Sequence, residues 1–515
     1  MTASAGDATP AEPGRYVRDF FIVAALALPF VLALGMTRGL NHDEHQHVAA
    51  GAVFAREGLL PYRDFPHFHT PYLVFIYGLL FKLSDHLLLV ARLFSVACAT
   101  ASIGLVGAVV AQLARPRGEK FARFAMVGAT LLLLSAAVFT RTVGRAWNHE
   151  PSLFLSLAAF LAHAAGVQRA HGGWIFAGAV LLGLAIGVRI TYAPLLAPFG
   201  LALLFLVKGS ASRKAALIGW SAAGFAVSLA GVAWLAWLAP EQTWFGNFEF
   251  AKVNVVYRFA TGEPRTMTLP TKARFLYKEI ARYDLGLLAA FVAPLAAAIG
   301  FRYRRRVVLS VELIFLLLTL PFLLFGSFAP SPLFEQYFYP FVFFLVLGGG
   351  YALALLPQES RWFRPVVGTA AAGVLLSVGR SAAAYHELPH LFVLRRWTPI
   401  EEHREAGRLR AVPSSSRILT LAPIDALEAG RSIYPEFVTG PFAWRISPFV
   451  APDKAARLKI PTAETLDALL AAHPPGALLL GNERKGEEEF ARYAKEHGYR
   501  MIPPAADFQL WMRPE

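Results

Sequence analysis

Asn41-His42-Asp43-Glu44-His45-Gln46-His47 follows directly on an apolar run at residues 19–38. An entirely polar heptad carrying two carboxylates cannot continue a membrane helix, so Asp43 and Glu44 sit at a water–lipid boundary. The run before it is too long for a removable signal, and Gly35-Met36-Thr37-Arg38 is a poor cleavage site. After it, residues 47–56 read as an amphipathic helix. Pro61-Tyr62-Arg63-Asp64-Phe65 and His69-Thr70-Pro71 then lead into an aromatic-rich segment at 71–83. That segment is too short to cross a bilayer and reads as an interfacial or re-entrant helix.

The rest of the chain agrees with a membrane setting. Of 515 residues, 56% are hydrophobic and only 16% charged, yet 13% are aromatic and the net charge is +14. This excludes a soluble enzyme with one core, and also a disordered chain. The lone Cys98 excludes an intramolecular disulfide. Runs near spanning length fall at 19–38, 87–114, 122–140, 150–168, 173–189, 190–207, 215–239, 284–301, 307–328, 336–356 and 364–380. About eleven crossings follow, with the termini on opposite sides.

Charge sets the orientation. Alternate loops carry 16 basic residues, including Arg115, Arg117, Lys120 and Arg123 in one and Arg302, Arg304, Arg305 and Arg306 in another. The acids among them are Asp7, Glu12, Glu119 and Glu359, so these loops hold +12 of the +14. By the positive-inside rule the N-terminus is cytoplasmic and the C-terminal part extracytoplasmic, or periplasmic. Residues 381–515 contain 17 Lys+Arg and 17 Asp+Glu, the balance of a small domain outside the membrane. Its strands and helix, at 417–421, 477–480, 487–497 and 508–512, read as α/β. The expected organisation is a mainly α polytopic region at 1–380 and this α/β domain. The first outer loop spans 39–86. The second, at 240–283, carries Trp244, Phe245, Phe248, Phe250 and Tyr257 and suits a helix at headgroup level. No zinc-finger spacing or basic-aromatic motif points to nucleic acid.

A membrane helix, an Asp-Glu pair, an amphipathic segment, a "Pro-Tyr-Arg-Asp-Phe" stretch and a "His-x-Pro" entering a juxtamembrane helix resemble the C-type (GT-C) membrane glycosyltransferases. The bacterial protein O-mannosyltransferase-like and aminoarabinose-transferase-like proteins are the nearest in pattern. The resemblance implies that Asp43 is the catalytic base, with Glu44 beside it. The aminoarabinose enzymes carry Lys-Pro-Pro where this chain has His69-Thr70-Pro71, so His69 stands at their phosphate-contacting lysine.

Cations at outer helix ends are the next candidates. Arg141 and Arg145 are four apart, a spacing that places them on one helical face with Asn148 extending it. Arg189 interrupts an apolar stretch after Gly183 and Gly187. A guanidinium holds a lipid phosphate well through paired planar donors, whereas a snorkelling arginine serves only headgroups. Glu150 opens the fourth span beside Pro151, where the helix dipole also favours an acid. Gln336 and Tyr337 open the tenth span and resemble the family's polar-x-Tyr stretch. His42, His45, His47, His67 and His69 include ligand types for a divalent metal but no ordered spacing, so no cofactor is required on this reading.

The expectation is an inverting glycosyltransferase of the bacterial inner membrane. It moves a sugar, hexosyl or pentosyl, from a polyprenyl-phosphate donor to a hydroxyl on a glycan, lipid or protein. The alternatives are a lipid or polysaccharide flippase, which should show paired repeats, and a non-catalytic assembly protein.

Overall fold

The computed structural model describes residues 13–514 except 263–265, 482, 484–485 and 503–507. Asp7 and Glu12, counted above among the loop charges, lie outside the described residues.

The chain opens with α1 (Pro13–Thr37), α2 (His42–Glu57), α3 (Tyr72–Leu80), α4 (Leu87–Ala114), α5 (Glu119–Ser135) and α6 (Ala137–Thr142). It continues with α7 (His149–Arg169), α8 (Gly172–Val188), α9 (Leu196–Phe205) and α10 (Ala211–Leu238). The second long loop carries α11 (Pro240–Trp244), α12 (Phe250–Ala260) and α13 (Leu269–Phe275). Then come α14 (Leu285–Arg305), α15 (Val311–Phe328), α16 (Tyr339–Ala354) and α17 (Phe363–Ser381).

Eight of these helices are long and apolar enough to cross a membrane: α1, α4, α7, α10, α14, α15, α16 and α17. The shorter α5, α8 and α9 occupy the remaining expected runs. The protein is a multi-pass membrane protein. Its outer helices leave apolar side chains uncovered, such as Trp237 at 77% and Leu375 at 73% exposure, as lipid-facing surfaces require. With nine residues, α3 is only ~14 Å long and does not span.

The C-terminal part contributes α18 (Thr398–Ala406), β1 (Arg417–Thr420), α19 (Pro423–Glu428), β2 (Ser432–Ile433), α20 (Pro441–Ile446), α21 (Pro452–Arg457), α22 (Ala463–Ala472), β3 (Ala477–Leu480), α23 (Glu488–Glu496), β4 (Arg500–Ile502) and β5 (Gln509–Met512). The sheet order is β2-β1-β3-β5-β4, with β2, β1 and β3 parallel and the last two strands antiparallel. The apolar run of β3, and the Ile418-Leu419 centre of β1, follow from burial on both faces. Leu419 and Leu478 pack with Leu466 and Phe490 of α22 and α23. Their neighbours Ile418, Ala477 and Leu479 belong instead to a cluster that runs through Ile424, Ala426 and Leu427 of α19 to Val48, Ala49 and Val53 of α2 and Leu73 and Val74 of α3. Helix α19 therefore bridges the first loop and the sheet, and the two lie on the same side of the membrane.

This packing corrects the reading of residues 47–56. The helix begins five residues earlier, and residues 44–53 are all buried. It is a core helix between the membrane bundle and the sheet, and no amphipathic surface remains. In the second loop, Phe245 and Phe250 turn inward, with Phe250 stacked on Phe68 at 4.0 Å between ring centroids. Of the five aromatics named for this loop, Trp244 and Phe248, 57% and 46% exposed, face outward as an interfacial helix requires.

Candidate active site

The site is assembled around the N-terminus of α2. Asn41 caps it: its side chain accepts from the Asp43 amide, and Glu44 reaches back to accept from the Asn41 amide at 2.9 Å. This capping box fixes Asp43 in the first helical turn, where the helix dipole favours an anion. Asp43 keeps its side chain 31% exposed and faces His42, Nε2 to Oδ1 at 3.4 Å.

Glu44 is placed differently from the expectation. It is completely buried, and Arg92 of α4 donates to both its oxygens at 2.8 Å while the Ala146 amide donates at 2.8 Å. With the Asn41 amide, four donors occupy the carboxylate, which leaves it nothing to offer a substrate. Arg92 also donates to the Gly35, Arg38 and Gly39 carbonyls, orphan acceptors at the end of α1. One guanidinium thus ties α1, α2 and α4 together beneath Asp43.

The opposite wall is the turn 143–148. Gly144 adopts φ +90, and a Cβ there would come within 2.4 Å of Gly35 Cα, so the turn lies directly on the end of α1. The Gly144 amide donates to Glu150 at 2.9 Å. Glu150 is fully buried and supports this turn from behind, away from the cleft where it was expected. The turn also ends α6 at Thr142, so Arg141 and Arg145 share no helical face. Arg141 instead pairs with Glu335 at 3.0 Å and lies over Tyr283. Arg145 lies over the Trp147 ring at 4.9 Å, on the Asp43 side.

Arg189 closes the cleft from a third direction. It breaks α8 with an extended backbone, φ −152, before the 3-10 turn Ile190–Leu195. Its Nε donates to Thr191 at 2.9 Å and its Nη1 donates to Asn148 Oδ1 at 2.6 Å, with His149 Nε2 at 3.2 Å. The guanidinium stands over Tyr337 at 5.2 Å. The Asp43 carboxylate lies within electrostatic range of Arg145, Arg189 and Tyr337. His149, Arg189, Thr191, Tyr192, Ser327 and Tyr337 line the pocket beneath. One turn further on, Ala193, Pro194 and Ala197 face Pro321, Phe322 and Phe325 across an apolar groove between the end of the 3-10 turn, α9 and α15.

Three solved structures share this architecture. ArnT from Cupriavidus metallidurans bound to undecaprenyl phosphate matches with a TM-score of 0.51 and 14% identity, over 97% of this chain and 98% of that one. Its apo state gives 0.52 and 13%, over 98% of each chain. The apo Archaeoglobus fulgidus oligosaccharyltransferase gives 0.50 and 10%, over 92% of this chain and 70% of that one. The fold is that of a C-type membrane glycosyltransferase. No protein-family model matches the sequence, and no curated protein matches it.

Within this GT-C fold, His69 lies beside His47, 4.8 Å between ring centroids, and Arg189 acts on both. Burial pushes His47 down to about 3 and His67 to about 4, so these imidazoles are neutral. Among the described residues no three potential ligands converge on a metal position. Gln336 is half-buried in the turn Glu335–Phe338 that presents Tyr337.

Sequence reasoning missed three contributors. Arg92 is hidden inside the apolar run 87–114, and its full burial was the signal available only in three dimensions. His149 adjoins Asn148 in a stretch already singled out. Arg258 comes from α12 on the second loop and lies within electrostatic range of Tyr337.

Proposed function

We propose that this protein is an inverting glycosyltransferase that takes a sugar from a polyprenyl-phosphate donor at the outer face of a bacterial inner membrane. The observation that carries the reading is that Asp43 lies within electrostatic range of Arg189, whose pocket adjoins an apolar groove. A polyprenyl-linked sugar has matching parts: an apolar tail for the groove, an anionic phosphate for the guanidinium, and a sugar beneath Asp43.

In the proposed reaction an acceptor hydroxyl gives its proton to Asp43 while its oxygen forms a bond to the anomeric carbon. The bond from that carbon to the phosphate oxygen breaks on the opposite face, and the electron pair leaves with the polyprenyl phosphate. Arg189, with Tyr337 beneath it and Asn148 and Thr191 holding its fork, stabilises the charge on the departing oxygens. Arg145 and Arg258 are proposed as further phosphate contacts. His69 and Gln336 are proposed to line the sugar. One displacement inverts the anomeric configuration.

Transferase activity in membranes containing Asp43→Asn, at equal protein level, tests this reading. The expected loss is on the order of 10²–10⁴-fold, the usual worth of a general base. Activity near wild type removes Asp43 as the base.

A further inference from the structure

We infer that Glu428, in the C-terminal part of the chain, is a positioning residue for Asp43. The inference rests on Asp43 being the base. It starts from the first turn of α4, whose amides have no intrahelical acceptors. The Leu88 amide donates to Glu428 Oε1 at 2.7 Å, across 340 residues of sequence. Glu428 is 2% exposed, and its other oxygen lies 2.5 Å from His403 Nδ1. The His403 ring in turn stacks on His86, the residue before α4, at 3.8 Å and 16°. A carboxylate supplied by α19 thus caps a membrane helix of a distant segment, and a histidine pair packs over the cap.

The cap lies one helical turn from Arg92. Leu88 and Arg92 are spaced i, i+4 on α4, so a shift in the helix start moves the guanidinium. Arg92 holds Glu44, and Glu44 closes the capping box that places Asp43. The path Glu428, Leu88, Arg92, Glu44, Asp43 is therefore continuous, and every link is buried except the last.

Two further contacts hold α19 to α2. Arg56 Nη1, on the last turn of α2, donates to the Leu427 carbonyl at 2.7 Å. The Ile424 amide donates to His45 Nδ1 at 3.4 Å. Gly440, at φ +61, lies where a Cβ would sit 3.0 Å from the Leu421 carbonyl and 3.4 Å from His45 Cβ. Helix α19 therefore forms a fitted seat for α2, while its Glu428 caps α4.

Hydrogen–deuterium exchange on the full-length protein in lipid nanodiscs tests the role without an activity assay. In Glu428→Ala, peptides covering 41–47 and 87–92 should exchange about five- to tenfold faster, the scale of a lost helix cap. Glu428→Gln should stay near wild type, because its amide oxygen still accepts from Leu88. Transfer by Glu428→Ala should lose kcat with an unchanged KM for donor. Faster exchange at 87–92 with no change at 41–47 overturns the inference and leaves Glu428 a local cap. If Glu428→Ala does not accumulate folded, Glu428→Asp, one methylene short of Leu88, carries the same expectation. A wild-type protein without transferase activity sinks the proposed function while leaving the exchange result standing.

Discussion

Glu44 and Arg92 pair at 2.8 Å with neither side chain exposed to solvent. Burial alone would raise the Glu44 carboxyl, but Arg92 and the amides of Ala146 and Asn41 outweigh it and hold the group below the ordinary value. The pair's stabilisation is present above the unfolded carboxyl's value and lost as pH falls through the lower folded one. Arg92→Ala should destabilise by roughly 3–5 kcal/mol, because a buried carboxylate loses its partner. Arg92→Lys should also lower the thermal midpoint, since an ammonium cannot serve Glu44 and three carbonyls together. An unchanged midpoint for both variants contradicts this account.

Arg189 should dominate affinity for the lipid phosphate. Arg189→Ala is expected to weaken binding of undecaprenyl phosphate, used as probe, about ten- to hundredfold, corresponding to roughly 1.5–3 kcal/mol for a charged hydrogen bond. Native mass spectrometry of the purified protein reads this directly. Arg141→Ala should change it little, because Arg141 is already paired with Glu335.

Gly144→Ala places a methyl group against Gly35 Cα and forces an unfavourable φ. The expected cost is roughly 1–3 kcal/mol, from strain and overpacking together. The lesion should reach the cleft, since Arg145 and Asn148 ride on the same turn. Binding of the same probe that stays at wild-type strength in this variant would count against that turn as a wall of the site.

Three carboxyl groups make the seat of α2 sensitive to pH. Burial pushes Asp425 up to about 8 and Glu402 and Glu428 to about 7; Glu405 raises the first two further, while Arg408 opposes the shift at Asp425 and His86 that at Glu428. Each group binds its proton more tightly folded than unfolded, so stability is lost as pH rises through about 7 to 8. Limited proteolysis between α18 and α19 should be faster at a pH of about 9 than at about 6, after correction for protease activity. Equal rates would show that the charges are relieved another way.

The helices that build the bundle were readable because lipid imposes one requirement on every span, and apolar runs near 20 residues meet it. Asp43 stood out because a carboxylate after such a run is costly and conspicuous. The role of Glu44 was not readable. Its partner Arg92 sits 48 residues away inside an apolar run, and nothing local marks an arginine that satisfies itself on helix-end carbonyls. The i, i+4 spacing of Arg141 and Arg145 misled for a related reason: Gly144 between them breaks the helix that would have aligned them. Strands β2 and β4, of two and three residues, are too short to carry a periodic signal.

The contact between Glu428 and Leu88 has a consequence for how the protein is made. A ribosome delivers α1 to α17 well before α19. A nascent chain with every crossing inserted still lacks the acceptor for Leu88 and the cover for one side of α2. Such long-range closure comes late in folding. Maturation of the cleft thus waits on the last quarter of the chain, and a truncated product would reach the bilayer without a finished site.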